Sequence, residues 1–206
     1  LATGSDYAKT IDQLGEDFVS KYITYSFNCS GNSVWKSGEL VSMNEWLMPI
    51  ECVDWLIQAV ERSNFPLKAG GHIEARTGMV NCSIAGRNAN SQVRAAFVEY
   101  DKEHGERVSL ANQFNETFSD KYSISAQIAG STGLDIFPAG KDKSQILELF
   151  EDIPVYFFGD DTQQGGNDHS LSEAIKARQL PEDRVVPVTG PEHTRAVVSL
   201  LSYLSC

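Results

Sequence analysis

The chain has 206 residues, of which 41% are hydrophobic and 22% charged, so its composition is that of a folded domain rather than a disordered segment. Its formal net charge of −11 argues against nucleic acid as a partner, because a phosphate backbone attracts basic surfaces. Residues 1–206 contain neither an apolar run near the roughly 20 residues of a membrane span nor a signal-peptide pattern. We therefore expect a cytoplasmic protein with no membrane partner.

Four cysteines, Cys29, Cys52, Cys82 and Cys206, lie far apart in the sequence and form no Cys-x-x-Cys pair. In a chain of this size, such isolated cysteines are typical of reduced, mostly buried thiols. This spacing favours neither a disulfide framework nor a zinc site.

The beginning of the chain is predicted to combine short strands with two helices. Residues 1–5, LATGS, have the small residues of a strand that runs into a loop, and residues 6–22 place apolar side chains on one side of a helix. A short strand is predicted at 23–28 and a hairpin-like turn region at 31–40. A longer helix is predicted at 48–66, with a proline suited to its first turn.

The middle of the chain is predicted to contain paired strands and two consecutive helices. Residues 70–86 read as two strands joined at residues 77–78. Alternation along the first of these strands puts His72, Glu74 and Arg76 on one face. Two helices are then predicted at 90–104 and 109–121, and two strands at 123–130 and 134–138.

From residue 143 onward the predicted helices and strands alternate strictly, which is the pattern of parallel βαβ units. The middle section lacks this alternation. We therefore predict an α/β fold with a parallel-sheet core, formed by residues 1–30 and 139–206, and an inserted α+β cap formed by residues 31–138.

Three polar loops follow predicted strands: ATGSD near residue 3, PAGKDK near residue 142 and GDDTQQGGND from residue 159. In an open parallel sheet, ligands bind at the carboxyl ends of the strands. The loops supply hydroxyls, backbone amides and a lysine for a phosphate. They also supply carboxylates, and Mg²⁺ is usually held by one or two carboxylates together with phosphate and water. We therefore predict a site for phosphate and magnesium, with the crowded carboxylates of 157–170 holding the metal.

With these loops, the sequence resembles the haloacid-dehalogenase (HAD) superfamily and, within it, the eukaryotic-type phosphomannomutases. LATGS is similar to the second motif of the superfamily, GKDK to the third, and FFGDDTQQGGNDHS to the fourth, acidic motif. The resemblance extends over essentially the whole chain. It implies a HAD-like Rossmannoid parallel-sheet core with an inserted α+β cap.

The resemblance also implies roles for residues in the three loops. Thr3 and Lys143 correspond to the motif residues that contact the transferring phosphoryl group. Asp160 corresponds to a magnesium ligand, and Asn167 and Asp168 are expected to support the same ion.

The predicted cap carries the substrate-binding residues that the resemblance implies. The segment 73–101 is similar to the family's arginine-bearing segment, with Arg76, Arg87 and Arg94 at matching positions. Three arginines at this spacing in an acidic protein are better explained as a phosphate clamp than as surface residues. Asp135 corresponds to a residue that contacts the sugar. The other substrate contacts implied in this way are Gly4, Ser5 and Gly133.

The sequence departs from the family pattern at several positions. The first motif, Asp-x-Asp-Gly-Thr, carries the nucleophile and the acid/base; it is not found in residues 1–206, and we expect it upstream of Leu1. We accordingly expect residues 1–206 alone to be inactive. Lys141 stands in place of a typical tryptophan, and Gly133 in place of a serine. The segment after His169 lacks the pattern of a second cation site.

The resemblance implies a phosphohexomutase that interconverts hexose 6-phosphate and hexose 1-phosphate through an aspartyl phosphate and a bisphosphate intermediate. Mannose is the expected hexose, GDP-mannose biosynthesis the expected pathway, and Mg²⁺ and hexose 1,6-bisphosphate the expected cofactor and activator. Two alternatives stay open: a HAD-type sugar-phosphate phosphatase and a catalytically inactive domain that binds phosphosugar. A homodimer formed through the cap is a further expectation, with a helix at 49–62 buried within its own cap as the alternative.

Overall fold

A computed structural model of the chain describes residues 1–164 and 166–204, of which 202–204 are described by their backbone alone. Cys206, and Gly165 within the predicted acidic loop, lie outside the described residues. The chain divides into two compact units, Leu1–Lys143 and Ser144–Cys206. None of the helices in the described ranges is long and apolar enough to cross a membrane.

The first unit contains five α-helices and seven strands within its described residues. The helices are α1 (Tyr7–Leu14), α2 (Glu16–Tyr22), α3 (Ile50–Arg62), α4 (Ser91–His104) and α5 (Glu106–Tyr122). The strands are β1 (Tyr25–Asn28), β2 (Ser33–Lys36), β3 (Glu39–Met43), β4 (Ile73–Arg76), β5 (Met79–Ser83), β6 (Ile124–Ala129) and β7 (Gly133–Pro138). The second unit contains β8 (Tyr156–Gly159), α6 (His169–Arg178), β9 (Arg184–Pro187) and α7 (Pro191–Leu204).

The predicted helix at 6–22 is two helices, because Gly15 interrupts it. Asp6 caps the start of α1, its Oδ1 accepting a hydrogen bond of 2.7 Å from the backbone N–H of Lys9. Gly15 has φ 84° and ψ 140°, which no helical residue adopts, and it serves as both the end of α1 and the start of α2.

Strands β1, β2 and β3 form an antiparallel sheet, and the segment before α1 lies beside it. Ala2 forms a parallel bridge with Phe27 of β1, and the backbone N–H of Thr3 donates to the carbonyl of Phe27 over 2.9 Å. The predicted boundary between core and cap, at residues 30 and 31, falls between β1 and β2 of this sheet. The division into core and cap stays a prediction.

The other four strands of the first unit form an antiparallel sheet in the order β4-β5-β7-β6. The register places Asn81 of β5 opposite Glu74 of β4 on one side and opposite Asp135 of β7 on the other. Three polar residues thus lie side by side across three neighbouring strands. This row forms part of the candidate site.

Helices α3, α4 and α5 share one hydrophobic core with this sheet. Trp55 of α3 packs edge-on against Phe114 and Phe118 of α5, with ring centroids 5.7 and 6.1 Å apart. These contacts bury one side of α3 within its own unit, while Ile50 at its start is 73% exposed. The homodimer stays a prediction.

In the second unit, β8 and β9 pair in parallel, and α6 connects them. This βαβ unit confirms the alternation predicted for the end of the chain. Arg178 of α6 binds the carboxylate of Asp183 and also donates to the carbonyl of Phe150 over 2.6 Å. The segment Lys143–Phe150, with which the predicted alternation of helices and strands begins, forms a 3-10 helix.

The three described cysteines confirm the prediction of buried, reduced thiols. Cys29, Cys52 and Cys82 are free and buried. Burial raises the pKa of Cys82 to about 12 and that of Cys52 to about 11, so both stay protonated at neutral pH. Neither has the lowered pKa of a reactive cysteine.

Candidate functional site

The predicted site residues fall into two sets, one in each unit. The first unit contains the loop after residue 2, the arginines, Asp135 and Lys143. The second contains the acidic loop after β8.

The loop of Thr3, Gly4 and Ser5 is held by backbone hydrogen bonds to the segment after β1. The carbonyl of Thr3 accepts from the N–H of Ser30, and the carbonyl of Ser5 accepts from the N–H of Cys29, both over 2.9 Å. The Thr3 hydroxyl oxygen accepts a hydrogen bond of 3.1 Å from the N–H of Ser5. The loop is therefore fixed in shape, with the Thr3 hydroxyl near its centre.

Arg76 joins this loop to the four-stranded sheet. Its Nη1 donates to the carbonyl of Gly4 over 3.1 Å, and its Nε donates to Oε2 of Glu74 over 2.6 Å. Nη1 also lies 3.9 Å from Oδ1 of Asp135. The structure thus brings Arg76 together with Gly4 and Asp135.

Asp135 is a buried carboxylate among cations. Its Oδ1 accepts a hydrogen bond of 2.7 Å from Nδ2 of Asn81. A Cβ added to Gly4 would lie 3.3 Å from Oδ2 of Asp135, so a glycine allows the loop to approach this closely. Burial raises the pKa of Asp135, whereas the Asn81 hydrogen bond and the charges of Arg76, Lys143 and Arg87 act in the opposite direction.

The raised pKa of Asp135 predicts a stability cost at neutral pH. The folded state holds the Asp135 proton more tightly than the unfolded chain does, so stability falls as pH rises from the ordinary value of 3.8 through the raised pKa. Asp135→Asn should remove this loss, so the substitution should raise Tm more at pH 7 than at pH 4. Thermal denaturation at pH 4 and pH 7 checks the prediction. A gain no larger at pH 7 than at pH 4 would contradict it.

Arg87 follows a turn that requires glycine. Gly86 has φ 89°, and a Cβ there would lie only 2.3 Å from the carbonyl oxygen of Gly70. The backbone N–H of Arg87 donates to the carbonyl of Gly71 over 3.0 Å, and Nη2 lies 3.2 Å from Oε2 of Glu74. One carboxylate oxygen of Glu74 therefore contacts both Arg76 and Arg87.

Arg94, near the start of α4, has each guanidinium nitrogen bonded to an oxygen of its own unit. Nε donates to the carbonyl of Ala89 over 3.0 Å, Nη2 to the carbonyl of Arg87 over 3.3 Å, and Nη1 to Oγ1 of Thr132 over 3.4 Å. These bonds hold the backbone at Arg87. They leave few donors of Arg94 for a ligand.

Gly133 contributes no side chain to this cluster. A Cβ there would lie 3.0 Å from Nδ2 of Asn81, so a larger residue would push against the amide that bonds Asp135. The neighbouring Thr132 supplies a buried hydroxyl instead, in contact with Arg94 and 3.3 Å from the hydroxyl oxygen of Ser83.

In the second unit, the acidic loop is folded around Asp161. The carbonyl of Asp161 accepts from the N–H of Asp168 over 3.1 Å, and its Oδ2 accepts from the N–H of Asn167 over 3.4 Å. A Cβ at Gly159, just before Asp160, would lie 2.8 Å from Oδ2 of Asp168. The three predicted metal residues therefore lie on one compact loop at the end of β8.

The oxygen donors of this loop are of the type that magnesium takes. No cluster of three or more His, Cys, Asp or Glu side chains able to hold a metal occurs in the described ranges. The side-chain oxygen of Asn167 is buried and has no hydrogen-bond partner within those ranges. An orphaned amide oxygen beside carboxylates is the kind of hard ligand that Mg²⁺ takes, with phosphate and water completing its shell.

Three residues of the first unit were missed by the sequence analysis as parts of the site: Glu74, Asn81 and Thr132. For Glu74 the signal was present, because alternation placed it on the same strand face as Arg76. For Asn81 it lay in strand register, which pairs the residue with Asp135 and cannot be read from one strand alone. Thr132 lies next to Gly133 in the sequence, but only the fold shows that its hydroxyl is buried and contacts Arg94.

Comparison with known proteins identifies the family. The family model for eukaryotic phosphomannomutase matches residues 1–202. The chain is 34% identical to proteins named phosphomannomutase from Dendrobium officinale and Triticum aestivum, with 93% of the chain aligned to 75% and 76% of those proteins.

Solved structures with a similar fold include the C-terminal domain of Candida albicans trehalose-6-phosphate phosphatase (TM-score 0.57, 15% identity, 86% of this chain and 59% of that one). IMP-bound IMP-nucleotidase from Plasmodium falciparum is also similar (TM-score 0.52, 16% identity, 97% of this chain and 56% of that one). These similar structures confirm the predicted α/β fold class. On the family match and the identity to its curated members, this chain belongs to the eukaryotic phosphomannomutase family.

Proposed function

We propose that the protein is a phosphohexomutase that interconverts hexose 6-phosphate and hexose 1-phosphate, with mannose as the preferred hexose. The observation that carries this proposal is the grouping of Arg76, Arg87 and Lys143 around the buried Asp135 in a chain of net charge −11. Such a local excess of cations in an acidic protein suits an anionic ligand. The names of the curated relatives support the phosphohexose as that ligand.

The proposed reaction needs two phosphate positions. At one, an aspartyl phosphate gives its phosphoryl group to the free hydroxyl of a hexose monophosphate, the acid/base group takes the hydroxyl proton, and hexose 1,6-bisphosphate forms. After the bisphosphate has turned round, its other phosphoryl group transfers to the aspartate, the acid/base group returns the proton to the leaving hydroxyl, and the isomeric monophosphate is released. The Asp-x-Asp-Gly-Thr motif that would supply both aspartates is not found in residues 1–206.

Residues of this chain would act at both positions. At the reacting phosphate, the hydroxyls of Thr3 and Ser5, the backbone amide of Gly4 and the ammonium of Lys143 would stabilise negative oxygens. At the distal phosphate, the arginine cluster would hold the charge, and Asp135 would accept a hydrogen bond from a sugar hydroxyl. A second cradle of this kind is what distinguishes a mutase from a simple hydrolase.

Asp160, with Asn167 and Asp168, would hold Mg²⁺. The bound ion would supply neutralisation of phosphate charge. The orphaned oxygen of Asn167 and the compact loop at the end of β8 support this assignment.

The test uses a chain in which residues 1–206 follow an Asp-x-Asp-Gly-Thr segment. With mannose 6-phosphate and Mg²⁺, ³¹P NMR should show mannose 1-phosphate forming, and catalytic amounts of hexose 1,6-bisphosphate should accelerate its formation. Inorganic phosphate as the sole product would establish the phosphatase alternative. Ligand binding without turnover would establish the non-catalytic one.

We place this activity in GDP-mannose biosynthesis in the cytoplasm, because mannose 1-phosphate is the form of the sugar that a nucleotidyl transfer consumes. A homodimer through the predicted cap is part of the proposal. Ile50 and Ile57 of α3, which are 73% and 45% exposed, provide apolar surface for it. A monomer mass by light scattering at micromolar concentration would exclude the dimer.

A further inference from the structure

We propose that Glu74 is an internal counter-anion of the arginine cluster, which the distal phosphate of the ligand displaces from Arg87. The proposal rests on the proposed function and goes beyond it, because it assigns Glu74 a part in selecting the ligand by charge. Glu74 would compete with every anion for the same arginine.

The first observation is the position of the Glu74 carboxylate. Its Oε2 accepts from Nε of Arg76 over 2.6 Å and lies 2.5 Å from Nη2 of Arg76 and 3.2 Å from Nη2 of Arg87. A single oxygen thus contacts two guanidinium groups, as a phosphate oxygen held by an arginine pair would.

The second observation is that the three arginines differ in how many of their guanidinium N–H donors already bond to other groups of the protein. Arg76 bonds Glu74 and the carbonyl of Gly4, and Arg94 bonds three oxygens of its own unit. Within the described part of the chain, Glu74 is the one side chain that forms an ion pair with the guanidinium of Arg87. Arg87 is therefore the arginine with the most donors to offer a ligand.

The third observation concerns which member of the group can move. The side chain of Arg76 is 10% exposed and is anchored by Gly4 and Asp135, whereas the side chain of Glu74 is 36% exposed. Glu74 also lies on β4, an edge strand of its sheet. The Glu74 carboxylate is already partly in contact with water, whereas Arg76 is buried and anchored. Ligand exchange at Arg87 would therefore move Glu74 rather than Arg76.

The exchange would favour doubly charged anions. A phosphate dianion replaces one negative charge at Arg87 by two and offers three acceptor oxygens. A singly charged carboxylate offers no more charge than Glu74 already supplies. Glu74 would thereby weaken the binding of all anions, and it would exclude singly charged ones most effectively.

The experiment measures binding of inorganic phosphate and of acetate to the 206-residue chain by calorimetry, for wild type and Glu74→Gln. We expect Glu74→Gln to bind phosphate about 3- to 10-fold more tightly and to bind acetate measurably where wild type does not. Glu51→Gln is the matched control, because it removes the same charge from an exposed pair with Lys121. It should leave both affinities unchanged.

Three results would overturn the proposal. Weaker phosphate binding in Glu74→Gln would mean that Glu74 orients Arg87 for the ligand, and unchanged binding would mean that it does not compete. An equal gain in Glu51→Gln would mean that overall charge alone is responsible.

Glu74→Asp gives a second test should Glu74→Gln unfold, because the shorter carboxylate keeps its charge but reaches Arg87 less well; it should bind phosphate more tightly than wild type. Failure of the proposed function is distinguishable from failure of this inference. Wild-type binding that Arg87→Ala leaves intact would refute the arginine site itself, whatever the Glu74 variants do.

Discussion

Arg87→Ala is expected to weaken binding of mannose 6-phosphate to the chain about 10- to 100-fold. The reason is the loss of a charge-assisted contact to phosphate, which is typically worth about 1.5–3 kcal/mol. Arg87 has the largest expected effect among the cluster arginines, because Arg76 and Arg94 are mostly bonded within the protein. Calorimetry with mannose 6-phosphate and with uncharged mannose measures the effect.

The matched control is Arg62→Ala, at the exposed end of α3. It removes the same charge and should leave the affinity unchanged. Arg87→Lys should restore only part of the affinity, because lysine cannot hold two phosphate oxygens in a planar fork. Equal affinity for wild type and Arg87→Ala, or an equal loss in Arg62→Ala, would remove Arg87 from the site.

Asp160→Asn is expected to raise the Mg²⁺ concentration needed for half-maximal activity by at least about tenfold. Even residues that only orient a metal ligand typically contribute 10- to 100-fold to affinity, and Asp160 is proposed as a direct ligand. The measurement is Mg²⁺-dependent turnover of mannose 6-phosphate by a chain extended with the Asp-x-Asp-Gly-Thr segment.

Asp152→Asn serves as the control for Asp160→Asn, because Asp152 is an exposed aspartate in the turn before β8. It should leave the Mg²⁺ dependence unaltered. If the activation constant of Asp160→Asn equals that of wild type, the metal has been assigned to the wrong residue of the loop.

The elements best predicted from the sequence were those with a clear periodicity of hydrophobic residues and clear ends. The parallel pair β8 and β9, with α6 between them, followed from strict alternation of helix and strand patterns. The break between α1 and α2 did not, because an apolar stripe continues through Gly15 and only its positive φ separates the two helices. A single glycine within a helical pattern indicates neither a break nor a continuous helix by itself.

The candidate site was predictable as a set of residue types but not as a set of contacts. The motifs indicated Arg76, Arg87 and Asp135 together. The occupation of Arg76 by Glu74 and Gly4 was not predictable, because it depends on how a loop near residue 4 meets a strand some 70 residues later. The burial that raises the pKa of Asp135 likewise arises only from tertiary packing.

Gly133 shows how a departure from a motif acquires a physical meaning only in the fold. The sequence showed a missing hydroxyl at this position. The structure shows that a side chain there would press on Asn81, and that Thr132 carries a buried hydroxyl in contact with Arg94. The absence of a hydroxyl at Gly133 therefore does not leave the surroundings of Arg94 without one.

The most direct test of a distal-phosphate cradle compares two substrates in the extended chain carrying Arg87→Ala. Mannose 6-phosphate needs the arginine cluster for its non-reacting phosphate, whereas p-nitrophenyl phosphate has no second phosphate to hold. We expect kcat/KM for mannose 6-phosphate, with bisphosphate present, to fall about 10- to 100-fold, while hydrolysis of p-nitrophenyl phosphate changes less than about twofold. Equal losses on the two substrates, or no loss on either, would contradict this expectation.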